Sequence, residues 1–437
     1  MLDSAQVEQL NRDCFCFPLD TIGLKTAIGK SQPDLKSLLD TQRTLFANSG
    51  VLLAAEEVDA MLDVVTAFES LVNLPNYRKE KMTPVPDLGS YRFGDGLLMG
   101  YDFHLGSNGP ALIEVNTNAG GAFIVNEMTK QCRHVLPECC DFQSPAHDQH
   151  QLKSLLLSEW HSAGRQGVPR CAAIVDNQPL SQYLYPDMLI AKNYFEQCGI
   201  ETVIADVSSL KYDQNELTCE GRRIDIVYNR STDFPMTGAD HDALRQAALA
   251  DAVLVGPNPV HHALYADKRI FPDLINQDKL ESYGLNKKHR ATLQKHVPKT
   301  WLITQDNATE MYAQRRSLFF KPADGFGSKA VYRGDKITRR VWNDILRAVE
   351  QGQQYIAQQV VPPSLRAIVT EGERRQLKFD VRIYTVGGEA VMAAARVYQG
   401  QTTNFRTAGG GFAPVYYIPQ SVWAAQKGCR VDSSCNG

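Results

Sequence analysis

Between Arg170 and Tyr228 the chain alternates short apolar runs with a stretch of helical period: Cys171 to Val175, then Tyr185 to Cys198 with Gly199 as its stop, then Glu201 to Ala205 and Ile224 to Tyr228. Strands and helices in alternation predict a parallel sheet with helices on its faces, because each apolar face must be buried against another layer. This places the chain in the α/β class. The remainder differs in grammar. Residues 1 to about 85 read as mostly helical, with apolar residues three and four apart in Ala54 to Val72, and Pro75, Pro84 and Pro86 then break the pattern. Leu97 to His104 and Ala111 to Asn116 read as a hairpin around Gly106-Ser107-Asn108-Gly109-Pro110. Leu318 to Ile418 is rich in strands: Leu318 to Lys321, Tyr355 to Val361, Phe379 to Val386 and Ala390 to Val397.

A length of 437 residues leaves room for roughly three domains at about 150 residues each. The predicted units are an N-terminal helical region (1–95), a hairpin unit (96–150), the α/β unit (165–262), a strand-rich region (263–422) and a tail (423–437). With 43% hydrophobic residues, 22% charged residues and a net charge of −3, nothing supplies the diffuse positive field that unspecific nucleic-acid binding needs. No apolar run approaches the roughly 18 residues of a membrane span, and Met1 to Asn11 carries charges where a signal peptide has its apolar core. The expectation is a cytoplasmic protein with small-molecule partners, no nucleic acid and no membrane, and with a homodimer left open. The ten cysteines show no C-x-x-C pairing and read as free thiols. Gly23 to Ser31 ends like a Walker loop, but five residues separate its glycines and no apolar strand precedes it, so it is set aside.

Three segments carry chemistry. In Ala111-Leu112-Ile113-Glu114-Val115-Asn116-Thr117, Glu114 and Asn116 are two apart and project from one face of a strand, while Ile113 and Val115 take the other. A carboxylate beside an amide oxygen is a hard-ligand pair suited to Mg²⁺, and the hairpin could add Asp102 as a second carboxylate. The alternative is a solvated strand face. In Leu318-Phe319-Phe320-Lys321-Pro322-Ala323-Asp324-Gly325-Phe326-Gly327-Ser328-Lys329, an apolar strand delivers a lysine to its end, and a glycine loop follows whose N–H groups could close over phosphates. An ordinary strand-to-turn junction would look similar. Finally, Arg382 and Arg396 fall on a predicted hairpin of alternating strands, followed by Asn404-Phe405-Arg406-Thr407-Ala408-Gly409-Gly410-Gly411, read as a mobile loop. Arginines at core-facing strand positions are costly unless something anionic meets them, although an open sheet face would solvate them.

Together these segments resemble the ATP-grasp superfamily of carboxylate-amine ligases. Lys321 to Lys329 resembles its small phosphate loop, Ile356 to Pro362 its adenine hinge, and Asp380 to Gly411 follows its D-x-R, A-x-x-R, N and G-G order; Lys268 resembles its other nucleotide lysine. The acidic hairpin precedes Lys321 by more than two hundred residues, as in the circularly permuted, eukaryotic-type glutathione synthetases. The resemblance covers residues 95 to 418. It implies an ATP-grasp fold of permuted strand order with a parallel-sheet substrate domain. It also implies ATP and Mg²⁺ as cofactors, and γ-glutamyl peptide synthesis by a glutathione synthetase-like or glutamate-cysteine ligase.

Under that resemblance Asp102, Glu114 and Asn116 would hold metal, and Lys268, Lys321, Gly325, Gly327, Ser328 and Gln358 to Val361 (Gln358, Gln359, Val360, Val361) would bind ATP. Arg396, Arg382 and Asn404 would be catalytic, and Arg230, Arg406, Gly409 and Gly410 would bind an amino-acid or γ-glutamyl substrate. Three positions depart from the family. Met99 and Gly100 stand where the eukaryotic-type enzymes carry an arginine, the small loop Asp324-Gly325-Phe326-Gly327 is closer to the bacterial type, and Asn118-Ala119-Gly120-Gly121 replaces a serine-containing run. The competing expectation is an ATP-binding regulatory protein that has kept the nucleotide cleft without turnover.

Overall fold

The chain has a mixed α/β fold in its computed structural model, which describes residues 3–13, 19–42, 44–83, 87–132, 149–323, 330–401, 403 and 407–417. The alternation that opened the sequence folds as expected. Cys171–Asp176, Glu201–Asp206, Ile226–Asn229 and Leu254–Gly256 form a parallel sheet in which the first strand lies between the second and third, with Leu254–Gly256 on the outer edge. The helix Tyr185–Gln197 buries Met188, Ile190, Ala191, Tyr194 and Phe195. All six residues of Cys171–Asp176 are buried, as a central parallel strand covered on both faces requires.

The hairpin Met99–Gly106 and Gly109–Asn116 turns between Gly106 and Gly109. It joins a larger sheet. Met99–Gly106 pairs antiparallel with one half of the long strand Glu373–Val386, whose other half pairs with Ser364–Thr370; Glu389–Tyr398 lies on its far side, followed by Gly411–Ala413. One face of this sheet is apolar. Tyr101, Phe103, Val115, Val381, Ile383, Ala393, Ala395 and Val397 are all buried there in one core. The opposite face carries the polar alternates, as period two demands, except at a register shift opposite Asp102 and Phe103: Leu112 turns into the core with Val115, and Ile113, expected on that core face, lies on the polar side with Glu114.

A third sheet orders Thr300–Leu302, Tyr355–Gln359, Leu318–Pro322 and Tyr332–Arg333 as antiparallel neighbours. Its Phe320 meets Trp342 of the helix Arg339–Glu350 at a ring separation of 5.2 Å. Residues between Ile303 and Ala357 thus own a separate small core.

The N-terminal region is less separate than its helical reading implied. Val51–Leu53 forms a parallel pair with Val415–Tyr417, and helix Ala55–Val72 buries Met61, Val64, Val65 and Phe68 in the core shared with the large sheet. Its Glu69 accepts hydrogen bonds from the hydroxyls of Tyr101 at 2.6 Å and Tyr265 at 2.8 Å. Burial pushes the Glu69 carboxyl up despite these bonds. Among the described residues, no helix is long and apolar enough to cross a membrane.

Candidate functional site

The polar face of the large sheet brings distant residues into register. Asp102 stands opposite Glu114 on one side and Arg382 on the other, Gly100 opposite Asn116, and Asp380 opposite Arg396. Because paired strands place opposite residues on the same face, two acids, two arginines, a further acid and an amide form one contiguous polar field. The small sheet faces it. There Lys321 and Phe319 alternate with the buried Phe320, so the lysine points away from Trp342 and towards the large sheet. Lys268 arrives in a single turn, Lys268–Ile270, whose first N–H donates to the Ala323 carbonyl at 3.2 Å. The resulting cleft, of about 250 Å³, is lined by Asp102, Glu114, Asn116, Lys268, Lys321, Gln358, Gln359, Val361, Asp380, Arg382 and Arg396, together with His104, Phe319 and Tyr398.

Asp102, Asp380, Lys321 and both arginines of this cleft are already partnered. Asp102 accepts Arg382 Nε at 2.5 Å and Nη2 at 2.7 Å, Arg396 Nη2 at 2.8 Å, and the Asn116 amide at 2.9 Å. Burial would raise its pKa, but the two guanidiniums outweigh burial and hold the carboxyl below its usual range. Arg396 also donates Nε to Asp380 at 2.6 Å, whose other oxygen accepts Thr403 Oγ1 at 2.6 Å. Lys321 donates to Gln358 Oε1 at 2.7 Å. Burial brings Lys321 down to about 8, with Glu114 opposing that fall and Lys268 adding to it. His104 donates its Nδ1 proton to the Val361 carbonyl at 2.6 Å.

These residues admit a divalent cation in part. No group of three or more His, Cys, Asp or Glu side chains capable of holding a metal occurs among the described residues. Mg²⁺ bound between protein and phosphates needs only one or two carboxylates. Glu114 and the Asn116 carbonyl oxygen meet that requirement, whereas both Asp102 oxygens are taken up by the arginines and Asn116. Asp102 pairs with Arg382 and Arg396, which its position beside Glu114 in the hairpin did not suggest.

A second pocket, of about 330 Å³, opens on the other side of the same arginines, which line both spaces. Arg230 stands in its wall, just beyond the strand Ile226–Asn229 at the carboxyl ends of the parallel sheet, where ligands of open α/β sheets characteristically bind. Gly120 lets it approach: a Cβ there would come within 2.4 Å of Arg230 Nη2.

Of the predicted site residues, Asp102, Glu114, Asn116, Lys268, Lys321, Gln358, Gln359, Val361, Arg382 and Arg396 converge on the cleft, and Arg230 on the second pocket. Val360 instead donates its N–H to the Ser317 carbonyl at 2.8 Å and does not line the cleft. Gly409 and Gly410 do not line it either. They form a packed turn rather than a free loop: Gly409 has φ +77°, a Cβ on it would lie 2.5 Å from Ile368 Cδ1, and a Cβ on Gly410 would lie 2.6 Å from the Val397 carbonyl oxygen. Gly325, Gly327, Ser328, Asn404 and Arg406 lie outside the described residues, as do Asp324 and the tail 423–437.

Sequence reasoning did not single out Asp380 as an arginine partner, Phe319 as a cleft wall, or Asp176 and Asn118 in the second pocket. Period two would have found the first two, since Asp380 shares a face with Arg382, and Phe319 with Lys321. Asp176 ends a parallel strand, which is itself a signal.

Neither a protein-family model nor a curated protein matches the chain. Solved structures do. A protein provisionally named a gamma-glutamylcysteine synthetase, from Methylobacillus flagellatus KT, aligns at 11% identity over 82% of this chain and 88% of its own, with a TM-score of 0.47. D-alanyl-alanine synthetase A from Vibrio cholerae aligns at 15% identity over 50% and 68%, with a TM-score of 0.29. The ATP-grasp ligase PsnB aligns at 12% identity over 57% and 90%, with a TM-score of 0.30. ATP-grasp ligases are thus among the structures this chain partly resembles, and the activities belong to those proteins.

Proposed function

We propose that the chain is an ATP-dependent carboxylate-amine ligase of the ATP-grasp type, with permuted strand order, that forms a peptide-like bond through an acyl phosphate. The observation that carries this reading is the convergence of Lys268, Lys321, Arg382 and Arg396 with Glu114 and Asn116 on one cleft, whose arginines also wall a second pocket. A nucleotide-binding module needs lysines for phosphates. It does not need two largely buried arginines shared between the nucleotide space and a neighbouring compartment.

In this reading a substrate carboxylate oxygen attacks the γ-phosphorus, the bond to the β-γ bridging oxygen breaks, and ADP departs. An amine then attacks the acyl carbon, the tetrahedral intermediate expels phosphate, and the amine loses its proton. Charge accumulation is the barrier, so positioned cations supply most of the catalysis. Lys268 and Lys321 neutralise the α- and β-phosphates, and Lys321 is aligned by Gln358. Arg396, held by Asp102 and Asp380, faces the transferring phosphoryl group, and Arg382 faces the acyl group. Glu114 and the Asn116 oxygen would hold Mg²⁺, which shields the phosphate oxygens when bound. The preferred products are γ-glutamyl peptides, made by a glutathione synthetase-like or glutamate-cysteine ligase acting in the cytoplasm.

The test is ADP release in the presence of Mg²⁺, with γ-glutamylcysteine plus glycine, glutamate plus cysteine, and a panel of other amino acids and amines. Release that requires both a carboxylate and an amine is expected. Nucleotide binding without ADP release from any pair would favour the regulatory alternative and defeat the ligase reading.

A further inference from the structure

Helix Ala55–Val72 belongs to the N-terminal region that the sequence resemblance leaves out, yet its Glu69 joins two elements of the cleft from behind. Glu69 is buried and accepts the hydroxyls of Tyr101 at 2.6 Å and Tyr265 at 2.8 Å. It forms no ion pair among the described residues, and Asp95 and Glu389 add only repulsion. A carboxylate buried without a cation is costly, so its two tyrosine donors are what hold it there. Tyr101 precedes Asp102 in the hairpin strand and packs in the core while Asp102 lines the cleft. Tyr265 stands one turn before Lys268, which lines the cleft from the opposite side.

The backbone between Tyr265 and Lys268 is tied at successive steps. The Asp267 N–H donates to the His262 carbonyl at 3.0 Å, and the Asp267 side chain accepts the Arg269 N–H at 2.9 Å. A turn fixed in this way moves as one piece with Tyr265. The N-terminal helices grip that piece at two further points: Tyr77 of helix Pro75–Met82 donates its hydroxyl to the Leu264 carbonyl at 2.7 Å, and the Phe68 ring stacks on Tyr265 at 6.0 Å. From this geometry we infer that Glu69 and Tyr265 are positioning residues for Lys268, setting its ammonium against the hairpin wall of the cleft. This deepens the ligase reading, on which it rests for the claim that Lys268 meets a phosphate. The attraction between ammonium and phosphate depends on their separation, and a misplacement of about 1 Å is enough to lose much of it. The N-terminal helices therefore serve the nucleotide site without touching the nucleotide.

Calorimetric titration of the full chain with ATP, joined to native-state hydrogen exchange, tests the role. Tyr265→Phe removes one hydroxyl and keeps the ring, and is expected to weaken ATP binding about tenfold. In a Lys268→Met background the same change is expected to weaken it no further, because the two residues act as one unit. Tyr101→Phe takes a hydrogen bond from the same carboxylate and is expected to change ATP affinity less than about twofold, which separates positioning from a general loss of stability. The amides of Asp267 to Ile270 are expected to exchange about tenfold faster in Tyr265→Phe, and those of Cys171 to Asp176 at the parent rate. Glu69→Gln, which keeps the side chain's size, reads the same quantities if Tyr265→Phe does not fold. Unchanged ATP affinity in the folded variant, an equal loss in the Lys268→Met background, an equal loss in Tyr101→Phe, or unchanged exchange at Asp267 to Ile270 would each overturn the inference. A parent chain that binds no ATP would defeat the ligase reading, and the exchange rates would then decide the positioning role by themselves. ATP binding with the expected losses but no ADP release from any substrate pair would keep the positioning role and defeat the ligase reading.

Discussion

Asp102 organises the cleft, and replacing it with alanine has a calculable cost. Both hydrogen bonds that Arg382 makes to a carboxylate end on Asp102, at 2.5 and 2.7 Å, with each partner's side chain only 8% exposed. Arg396 loses its 2.8 Å bond but retains Asp380. Truncation therefore leaves one buried guanidinium unpaired beside a second cation, a situation that costs about 3–5 kcal/mol when one partner of a buried pair is removed. Asp102→Asn keeps the shape and one acceptor, so its cost falls towards the lower end. Urea unfolding measures both variants, and a lowered midpoint at unchanged slope is expected. Added Mg-ATP should recover more stability in Asp102→Ala than in the parent, since its phosphates supply the missing negative charge while linkage rewards binding. An Asp102→Ala chain within about 0.5 kcal/mol of the parent would refute the reasoning, because that is the range of ordinary surface substitutions.

Three further outcomes follow from the same geometry. Glu114→Gln should lower Mg²⁺-dependent ADP release by about a hundredfold without changing the unfolding curve, because it removes a hard charge from the cleft and no structural bond. Lys321 has its folded pKa depressed to about 8, below its unfolded value. Its proton is therefore lost from the native cleft as pH rises through 8, nucleotide affinity should fall from pH 7 to 9, and native stability should gain between pH 8 and the unfolded lysine value near 10.4. A Lys321→Met chain should bind nucleotide weakly with a flatter pH profile, as titration at several pH values would show. Arg366, fully buried, donates to the Gly50 carbonyl at 2.7 Å, the Asn11 carbonyl at 3.2 Å and the Ser49 hydroxyl at 2.7 Å. Arg366→Met should cost about 2–4 kcal/mol in chemical unfolding, because those acceptors are left buried and unmet.

Local periodicity made much of the site legible. The hairpin of Asp102, Glu114 and Asn116, the strand that ends in Lys321, and the paired strands bearing Arg382 and Arg396 all follow from alternation, and the structure places them within a residue or two of their expected bounds, except that the arginine-bearing strand begins earlier, at Glu373. Less legible was the packing of glycines 409 to 411, since a glycine triplet reads equally as a free loop or as a turn that needs close approach. The helical reading of the N-terminal region missed Val51–Leu53, because three apolar residues carry no period of their own.

By itself, then, the sequence determined most of which side chains share a face, because that depends on the two-residue period of a strand and is settled within a few residues, save at the bulge opposite Asp102 and Phe103, where Leu112 joins Val115 in the core and Ile113 lines the cleft with Glu114. Only the tertiary structure decided what each face meets. Asp102 and Arg382 lie 280 residues apart, and strand backbones pair through the same N–H and C=O groups whatever their side chains. Partner choice is therefore set by the pooled burial of both strands' apolar faces. That choice put two arginines over Asp102, so the carboxylate expected to hold metal pairs with both guanidiniums. It also brought Asp176 and Arg230 into the lining of the second pocket.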